Sequence, residues 1–231
     1  MAFNIAWDQT GEKLYETGVD RGVYYSVNET TGEYENGEAW NGITSVDENP
    51  SGGEPNDIYA DNGKYLSLMS AEEFGATIGC YTYPDGFKKS NGEIKLAPGL
   101  YGGQQVRKPF GFSYRSLIGN DVKGEDYGYT IHLVYGCKAS PSSASRSTTN
   151  ENPEAQEFSY EINTTPVEVE GYKKMAHLKF ETTDPDLTEA KITRLEKVLY
   201  GDGTTPGRLP LPAEVISIIT QDDPPVNPST V

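Results

Sequence analysis

The chain contains few cysteines and no long apolar run. Two of its 231 residues are Cys. Cys80 and Cys137 supply neither a disulfide framework nor a CxxC metal pair, so we expect both to be small buried apolar residues. No stretch approaches the roughly 20 apolar residues that a membrane-spanning helix needs, so we expect no membrane partner. The first eight residues contain neither a basic segment nor an apolar run, so we also expect no signal peptide.

Basic residues are scarce as well. The sequence has 19 Lys or Arg against 35 Asp or Glu, which gives a net charge of −16. This balance argues against a protein that wraps nucleic acid, because neutralising phosphates requires surplus Lys and Arg. It does not exclude an acidic wall along which DNA slides.

Catalytic constellations are also absent. No HExxH, GxSxG, Walker or GxGxxG arrangement is present. The only two histidines, His132 and His177, fall within strand patterns, where a hydrogen-bonded strand side chain is the favoured interpretation. The stretch 47–52 copies the first half of a calcium loop, but Ile58 stands where the bidentate Glu belongs. We therefore predict that the protein is not an enzyme and has no catalytic, cofactor-binding or metal-binding residues.

The chain is rich in Gly (25 residues), Tyr (16) and Pro (15). In many segments its apolar residues alternate with polar ones. This period of two predicts β-strands. The predicted strands are 74–82, 110–115, 129–135, 158–162 and 176–180, with weaker ones at 23–27 and 39–46. The short polar link 120–126 predicts that the strands around it are antiparallel partners.

One segment has helical spacing instead. Its apolar residues from Leu187 to Leu199 recur every three or four positions, Asp186 and Glu189 resemble a capping box, and Gly201 follows as a stop signal. We predict a helix over 186–200 that packs on a sheet and buries Leu195. A second, shorter helix is predicted to begin at Pro212 and to direct Val215, Ile216 and Ile219 inward.

Three stretches are predicted to be loops. They are the acidic, turn-rich segment 49–63, the Ser/Thr-rich segment 140–153 and a polar C-terminal tail over 221–231, which we expect to be disordered. Loops longer than about 12–15 residues in a compact domain are usually either functional or disordered.

The charge is unevenly spread along the chain. Residues 1–60 hold twelve acids and two bases, whereas residues 94–120 hold four bases and no acid. Those four bases are Lys95, Arg107, Lys108 and Arg115. One interpretation is an acidic, soluble surface with a single basic patch. The other is self-assembly, in which the acidic segment of one subunit lies near the basic segment of a neighbour.

Several motifs resemble one family. They include the stretches 7–19 (WDQTGEKLYETGV), 39–43 (AWNGI), 70–78 (SAEEFGATI), 110–114 (FGFSY), 132–135 (HLVY) and 208–212 (RLPLP). These motifs resemble the major tail tube proteins of bacteriophages with long non-contractile tails (siphovirus type). The resemblance extends over about residues 7–219 and is most specific in its middle third.

The resemblance implies an antiparallel β-sandwich or barrel of two packed sheets with one flanking α-helix, forming a single tail tube domain over 1–220. It further implies that six subunits form a ring and that rings stack into a tube through which DNA leaves the capsid. The partners would be other copies of the chain, a tape measure protein and tail terminator or tip proteins, with DNA passing through unbound. The protein would be synthesised and assembled in the bacterial host cytoplasm and located in the virion tail, with no cofactor.

Within this interpretation, the loop 49–63 contacts the adjacent ring, through the candidate residues Pro50, Glu54, Asp57, Tyr59 and Asp61. Asp47 and Glu48 are candidate lumen acids, since a net acidic wall repels DNA. The four bases of residues 94–120 are then candidates for subunit contacts or the outer surface. Two other functions remain open: a carbohydrate-binding β-sandwich module, and the tube protein of a related secretion or injection machine.

Overall fold

A computed structural model describes residues 5–149, 151 and 154–222. The predicted tail lies outside the described residues from position 223 onward, as do positions 150, 152 and 153 of the predicted loop 140–153. The described part of the chain forms fourteen strands and three helices. The strands are β1 (Leu14–Val27), β2 (Tyr34–Ala39), β3 (Ile43–Glu48), β4 (Ser51–Gly52), β5 (Pro55–Ala60), β6 (Gly63–Met69), β7 (Glu72–Glu73), β8 (Gly75–Cys80), β9 (Ile94–Ala97), β10 (Leu100–Gly102), β11 (Phe110–Asn120), β12 (Gly124–Ala139), β13 (Phe158–Thr164) and β14 (His177–Glu181). The helices are α1 (Phe87–Ser90), α2 (Glu189–Tyr200) and α3 (Pro212–Thr220).

Most of the strands belong to one antiparallel sheet. Its order is β2-β1-β11-β12-β13-β8-β3, and β14 pairs with β12 beside this path. Strands β11 and β12 are antiparallel neighbours joined by a short turn, as the polar link between them predicts. The mainly β, antiparallel fold class is therefore confirmed, although the packed layers are parts of one continuous sheet that is not a closed barrel.

The sheet bends at Gly136 in β12. Before this residue β12 pairs with β14, and after it β12 pairs with β13. Gly136 has a φ of +59°, and a Cβ there would collide with the carbonyl oxygen of Thr165. Only glycine accommodates both constraints, and the register shift in the β11–β12 ladder at this point is a β-bulge. The bend lets β13, β8 and β3 fold back over β11 and β12.

Two hydrophobic cores lie on opposite faces of β12. Ile131, Leu133 and Tyr135 point into a core that α2 and α3 cover. Val134, between them in the alternation, points into a second core that β8, β13 and Phe87 of α1 close. Because alternate residues of a strand face opposite sides, the single strand β12 contributes to both cores.

The predicted helix over 186–200 begins at Glu189, three residues later than expected. Thr188 is the N-cap, with its hydroxyl accepting a hydrogen bond from the Lys191 backbone N–H at 3.4 Å. The backbone N–H of Asp186 instead donates to the carboxylate of Asp184 at 2.9 Å, which holds Asp186 in a turn. Leu195 is fully buried, as predicted.

Two further sequence predictions need correction. The predicted strand 39–46 is interrupted after Ala39 by a turn at Gly42, whose φ is +73°, because Trp40 turns into the core and donates its indole N–H to the carbonyl of Thr82 at 2.9 Å. In α3, Val215 is buried and Ile219 is half-buried as predicted, but Ile216 is 44% exposed. Ile218, a half-buried residue, packs against the core instead.

Candidate functional site

A β-hairpin, here called the arm, extends over 51–73 where a loop over 49–63 was predicted. Strands β4 and β7 pair at its base, and β5 pairs with β6 beyond them. The predicted loop is thus the first half of a longer hairpin. Its turn consists of Asp61 and Asn62, with φ values of 50° and 61°, followed by Gly63. Two positive φ values in a two-residue turn match the twist of a hairpin, and Asp and Asn tolerate them, so the Asp-Asn-Gly sequence was the local signal for this turn.

The arm has one polar and one apolar face. On the polar face Asp57 accepts hydrogen bonds from Lys64 at 2.7 Å and from Ser67 at 2.6 Å, and these bonds lower the pKa of Asp57. On the apolar face Ile58 lies opposite Leu66, and Leu68, two residues further along the same strand as Leu66, lies diagonal to Ile58. These three side chains are 39%, 37% and 54% exposed. An amphipathic hairpin with its apolar face in solvent is a candidate interaction surface.

Of the residues predicted for inter-ring contact, Pro50 directly precedes the arm and the other four lie along its first half. Pro50, Glu54, Tyr59 and Asp61 are all exposed, and Tyr59 is on the polar face beside Asp57. The sequence prediction missed the apolar residues of β6, which contribute most of the apolar face. The signal was present as Leu66 and Leu68 alternating with polar Ser67.

The predicted lumen acids, Asp47 and Glu48, are consecutive residues of β3. Because consecutive side chains of a strand point to opposite faces, the two acids do not share a surface. Asp47 is exposed and accepts a hydrogen bond from Ser45 at 3.2 Å. Glu48, whose side chain is 31% exposed, instead belongs to a polar cluster with His132 and Tyr114.

Three of the four predicted contact bases have partners within their own chain. Arg115 makes a bidentate contact with the Asp20 carboxylate, in which Nε donates to Oδ1 at 2.7 Å and an Nη donates to Oδ2. Its guanidinium carbon lies 4.7 Å from the centroid of the Tyr129 ring. The remaining contacts are Lys108 with Glu29 at 2.7 Å and Arg107 with Asn91 at 2.8 Å. Lys95 lies exposed on β9.

The acidic and basic segments of the sequence therefore meet inside one subunit. Strand β1 of the acidic segment pairs with β11 of the basic segment along most of their length. Arg115 is only 13% exposed in its side chain, so it offers little surface to a neighbour. The location of the four bases at subunit contacts stays a prediction, and Lys95 and Lys108 are the two exposed ones.

Replacing Arg115 with Gln is expected to lower the free energy of unfolding by about 1–3 kcal/mol, because Asp20 loses a charge-assisted hydrogen-bond partner. Urea denaturation of the monomer measures this loss. Lys108→Gln is the matched control, since both members of its ion pair are well exposed and such pairs contribute about 0–1 kcal/mol. Equal stability of Arg115→Gln and the parent would show that the Asp20 contact does not hold β1 to β11.

A polar cluster lies where β3 passes β12 and β14. His132 Nδ1 is 3.1 Å from His177 Nε2 and 3.4 Å from Glu48 Oε1. Tyr114 donates its hydroxyl to Glu48 Oε1 at 2.8 Å and stacks on the His132 ring, with ring centroids 4.3 Å apart. Lys179 Nζ lies 3.7 Å from the other carboxylate oxygen, Oε2. Both histidines are therefore partnered strand side chains, as the sequence analysis favoured.

Strand register explains why the two histidines meet. His132 is directly opposite Lys179, and Val134 is opposite His177, so the two imidazoles are diagonal neighbours on the same face. His132 Nε2 is 2.9 Å from the hydroxyl of Ser116, which in turn donates to Glu16.

Burial sets the protonation of this cluster. Desolvation lowers the pKa of both His132 and His177, and the nearby Glu48 carboxylate only partly opposes that effect. Partial burial by itself raises the pKa of Glu48, but the hydrogen bond from Tyr114 and the nearby basic side chains outweigh it, so the net pKa is lowered. At neutral pH the cluster accordingly contains two neutral imidazoles and one carboxylate.

Comparison with solved structures gives a weak structural similarity. No protein-family model matches the sequence, and no curated protein matches it. A solved structure that resembles this fold is the SPP1 tail tube, determined by solid-state NMR and cryo-EM. The two sequences are 13% identical, and the TM-score is 0.39. The aligned region covers 76% of this chain and 80% of the SPP1 chain. Among the described residues, no helix is long and apolar enough to cross a membrane.

Proposed function

We propose that this chain is a structural subunit of a phage tail tube, in which copies associate into rings and the rings stack. The sequence resemblance over about residues 7–219 supports the proposal, and six copies per ring follow from that resemblance. The structural observation that carries it is the arm, which presents an apolar face to solvent.

The arm needs a partner for physical reasons. An isolated two-stranded hairpin is marginally stable in water at best. Completing the burial of Ile58, Leu66 and Leu68 would contribute on the order of 2–4 kcal/mol per arm. Many arms per tube would multiply this contribution, so the apolar face suits a contact that is repeated between copies.

The main sheet offers a second contact. Strand β2 has its outer edge covered, since Gly37 N–H donates to the Gly207 carbonyl at 2.8 Å and Tyr34 bridges to Leu209. At the other end of the sheet, β3 is paired as a strand with β8 alone among the described residues. Sheet edges of this kind are templates for pairing with another chain. We infer that β3 continues the sheet into the neighbouring subunit of a ring.

The charge suits a conduit for DNA. A net charge of −16 per chain, repeated around rings and along a tube, produces a field that repels phosphates. Asp47, exposed on β3, is the better of the two lumen candidates, because Glu48 is engaged by Tyr114 and His132.

Negative-stain microscopy of the purified protein at increasing concentration tests the proposal. We expect rings or hollow tubes, because the arm and the β3 edge both favour contacts between copies. A species that stays monomeric at every concentration and binds immobilised glycans would contradict the proposal and favour a carbohydrate-binding module. Tubes without any DNA-containing particle in the native source would favour a secretion or injection machine.

A further inference from the structure

We propose that Glu48, His132 and His177 bind one divalent transition-metal ion, of which Zn²⁺ fits best. This inference is independent of the tail tube function. The three side chains come from β3, β12 and β14, and they are the only group of three or more His, Cys, Asp or Glu residues in the described part of the chain whose ligand atoms lie within 4.8 Å of one another.

The distances between the ligand atoms match a shared ion. Zinc binds histidine nitrogen at about 2.0–2.1 Å with tetrahedral geometry, which places neighbouring ligand atoms about 3.3 Å apart. His132 Nδ1 is 3.1 Å from His177 Nε2 and 3.4 Å from Glu48 Oε1. Two edges of the tetrahedron are thus already formed without movement of the backbone.

The donor set also selects the class of ion. Two imidazole nitrogens and one carboxylate oxygen suit zinc, and also copper or nickel, whereas calcium and magnesium prefer oxygen ligands alone. Copper binds such donors more tightly than zinc, but its divalent form prefers a tetragonal arrangement. The two known distances, 3.1 and 3.4 Å, are close to the edge length of a zinc tetrahedron and therefore favour zinc.

Neighbouring residues orient the ligands as an outer shell does in metal sites. The Ser116 hydroxyl donates to Glu16, so its oxygen accepts from the Nε2–H of His132 at 2.9 Å. This hydrogen bond leaves the Nδ1 lone pair of His132 directed at the other ligands. Tyr114 holds Glu48 Oε1 by a hydrogen bond and packs flat on the His132 ring.

Water would occupy the fourth coordination position, and a cavity beside two of the three ligands can supply it. A cavity of about 310 Å³ is bordered by Glu48, His132, Tyr114 and Ser116. Lys179 is the competing cation, since its ammonium lies 3.7 Å from Glu48 Oε2. It interacts with the carboxylate oxygen that the ion does not need, and its side chain is 51% exposed, so it can move into solvent when the ion binds.

The bound ion would link strands that are far apart in the sheet order. Strand β3 is at one end of the sheet order, whereas β12 and β14 are near its middle. An ion that binds the folded state and not the unfolded chain stabilises the fold by mass action. We therefore expect zinc to stabilise the curled form of the sheet.

Zinc chloride titration of the full chain, after treatment with a chelator and its removal, tests the proposal by calorimetry and thermal unfolding. We expect about one ion per chain and, at a hundredfold excess over Kd, a rise in Tm of about 5–10 °C. Glu48→Gln and His177→Gln should abolish both effects. Ser116→Ala should weaken binding by about tenfold or more through the outer shell. Lys179→Met should tighten binding, because it removes the competing cation.

Glu161→Gln is the matched control, since Glu161 is an exposed carboxylate on β13 outside the cluster. It should bind zinc like the parent chain. Cobalt substitution gives a second readout, because tetrahedral Co²⁺ at this site would show intense visible absorption that His177→Gln lacks. Absence of binding in the parent chain, or binding that Glu48→Gln and His177→Gln leave unchanged, would overturn the assignment.

Discussion

Replacing residues 53–71 with Asn-Gly is expected to abolish ring stacking and tube growth while the subunit stays folded. The pair Gly52 and Glu72 at the base of the arm faces each other in the β4–β7 ladder, so a two-residue turn can join them. The removed side chains lie outside both hydrophobic cores. Urea unfolding should therefore change by less than about 0.5 kcal/mol, whereas microscopy should show no tubes.

Point variants separate the apolar face of the arm from its polar face. Changing Ile58, Leu66 and Leu68 together to Ser should prevent tube growth as the deletion does, because it removes the apolar surface and retains the hairpin. The control is Lys64→Gln on the polar face, which should assemble normally. Long tubes formed by the deletion variant would show that the arm is only a surface hairpin, whatever the function of the rest of the chain.

Leu195→Ala is expected to lower the free energy of unfolding by about 2–5 kcal/mol, since a fully buried leucine leaves a cavity when it is truncated. Leu195 joins α2 to the core that also contains Leu199 and Phe180. Urea or thermal denaturation of the monomer measures the effect. Ile216→Ala is the control, because Ile216 is 44% exposed on α3 and should change stability by about 0.5 kcal/mol or less.

A loss below about 1 kcal/mol for Leu195→Ala would mean that the core around α2 repacks without a cavity. The two variants together also test the correction to α3. If Ile216→Ala proved as costly as Leu195→Ala in the monomer, the orientation of α3 would be wrong. If it were neutral in the monomer but impaired assembly, Ile216 would lie at a contact between copies.

Local periodicity predicted much of the fold. Alternation located β8, β11, β12, β13 and β14, and the spacing of Leu195 and Leu199 identified the buried face of α2. These features depend on residues within one or two turns or pleats of each other, so the sequence pattern reports them directly. Where local signals competed, the prediction was wrong by a few residues, as at the start of α2, where Thr188 rather than Asp186 caps the helix.

Contacts between distant strands were not predictable in the same way. The alternation around His132 and His177 placed both in strands, but their separation depends on the β12–β14 register, and the approach of Glu48 depends on how β3 folds back. The intramolecular pairing of Arg115 with Asp20 follows from the β1–β11 ladder, which no local pattern specifies. For this reason the sequence alone did not show that Arg115 has a partner within its own chain.

By itself, the sequence determined that this is an acidic, mainly β protein with an amphipathic helix. Composition gives the charge, and the spacing of apolar residues within each element indicates whether it is a strand or a helix and which face is buried. The tertiary structure alone decided that one bent sheet forms both layers, that the arm exposes an apolar face, and that Glu48 joins two histidines. The physical reason is that strand order and register are set by the sum of many non-local contacts, together with single constraints such as the positive φ of Gly136. A shift of one residue in register would turn each side chain of the shifted strand to the other face, and the polar cluster would not form.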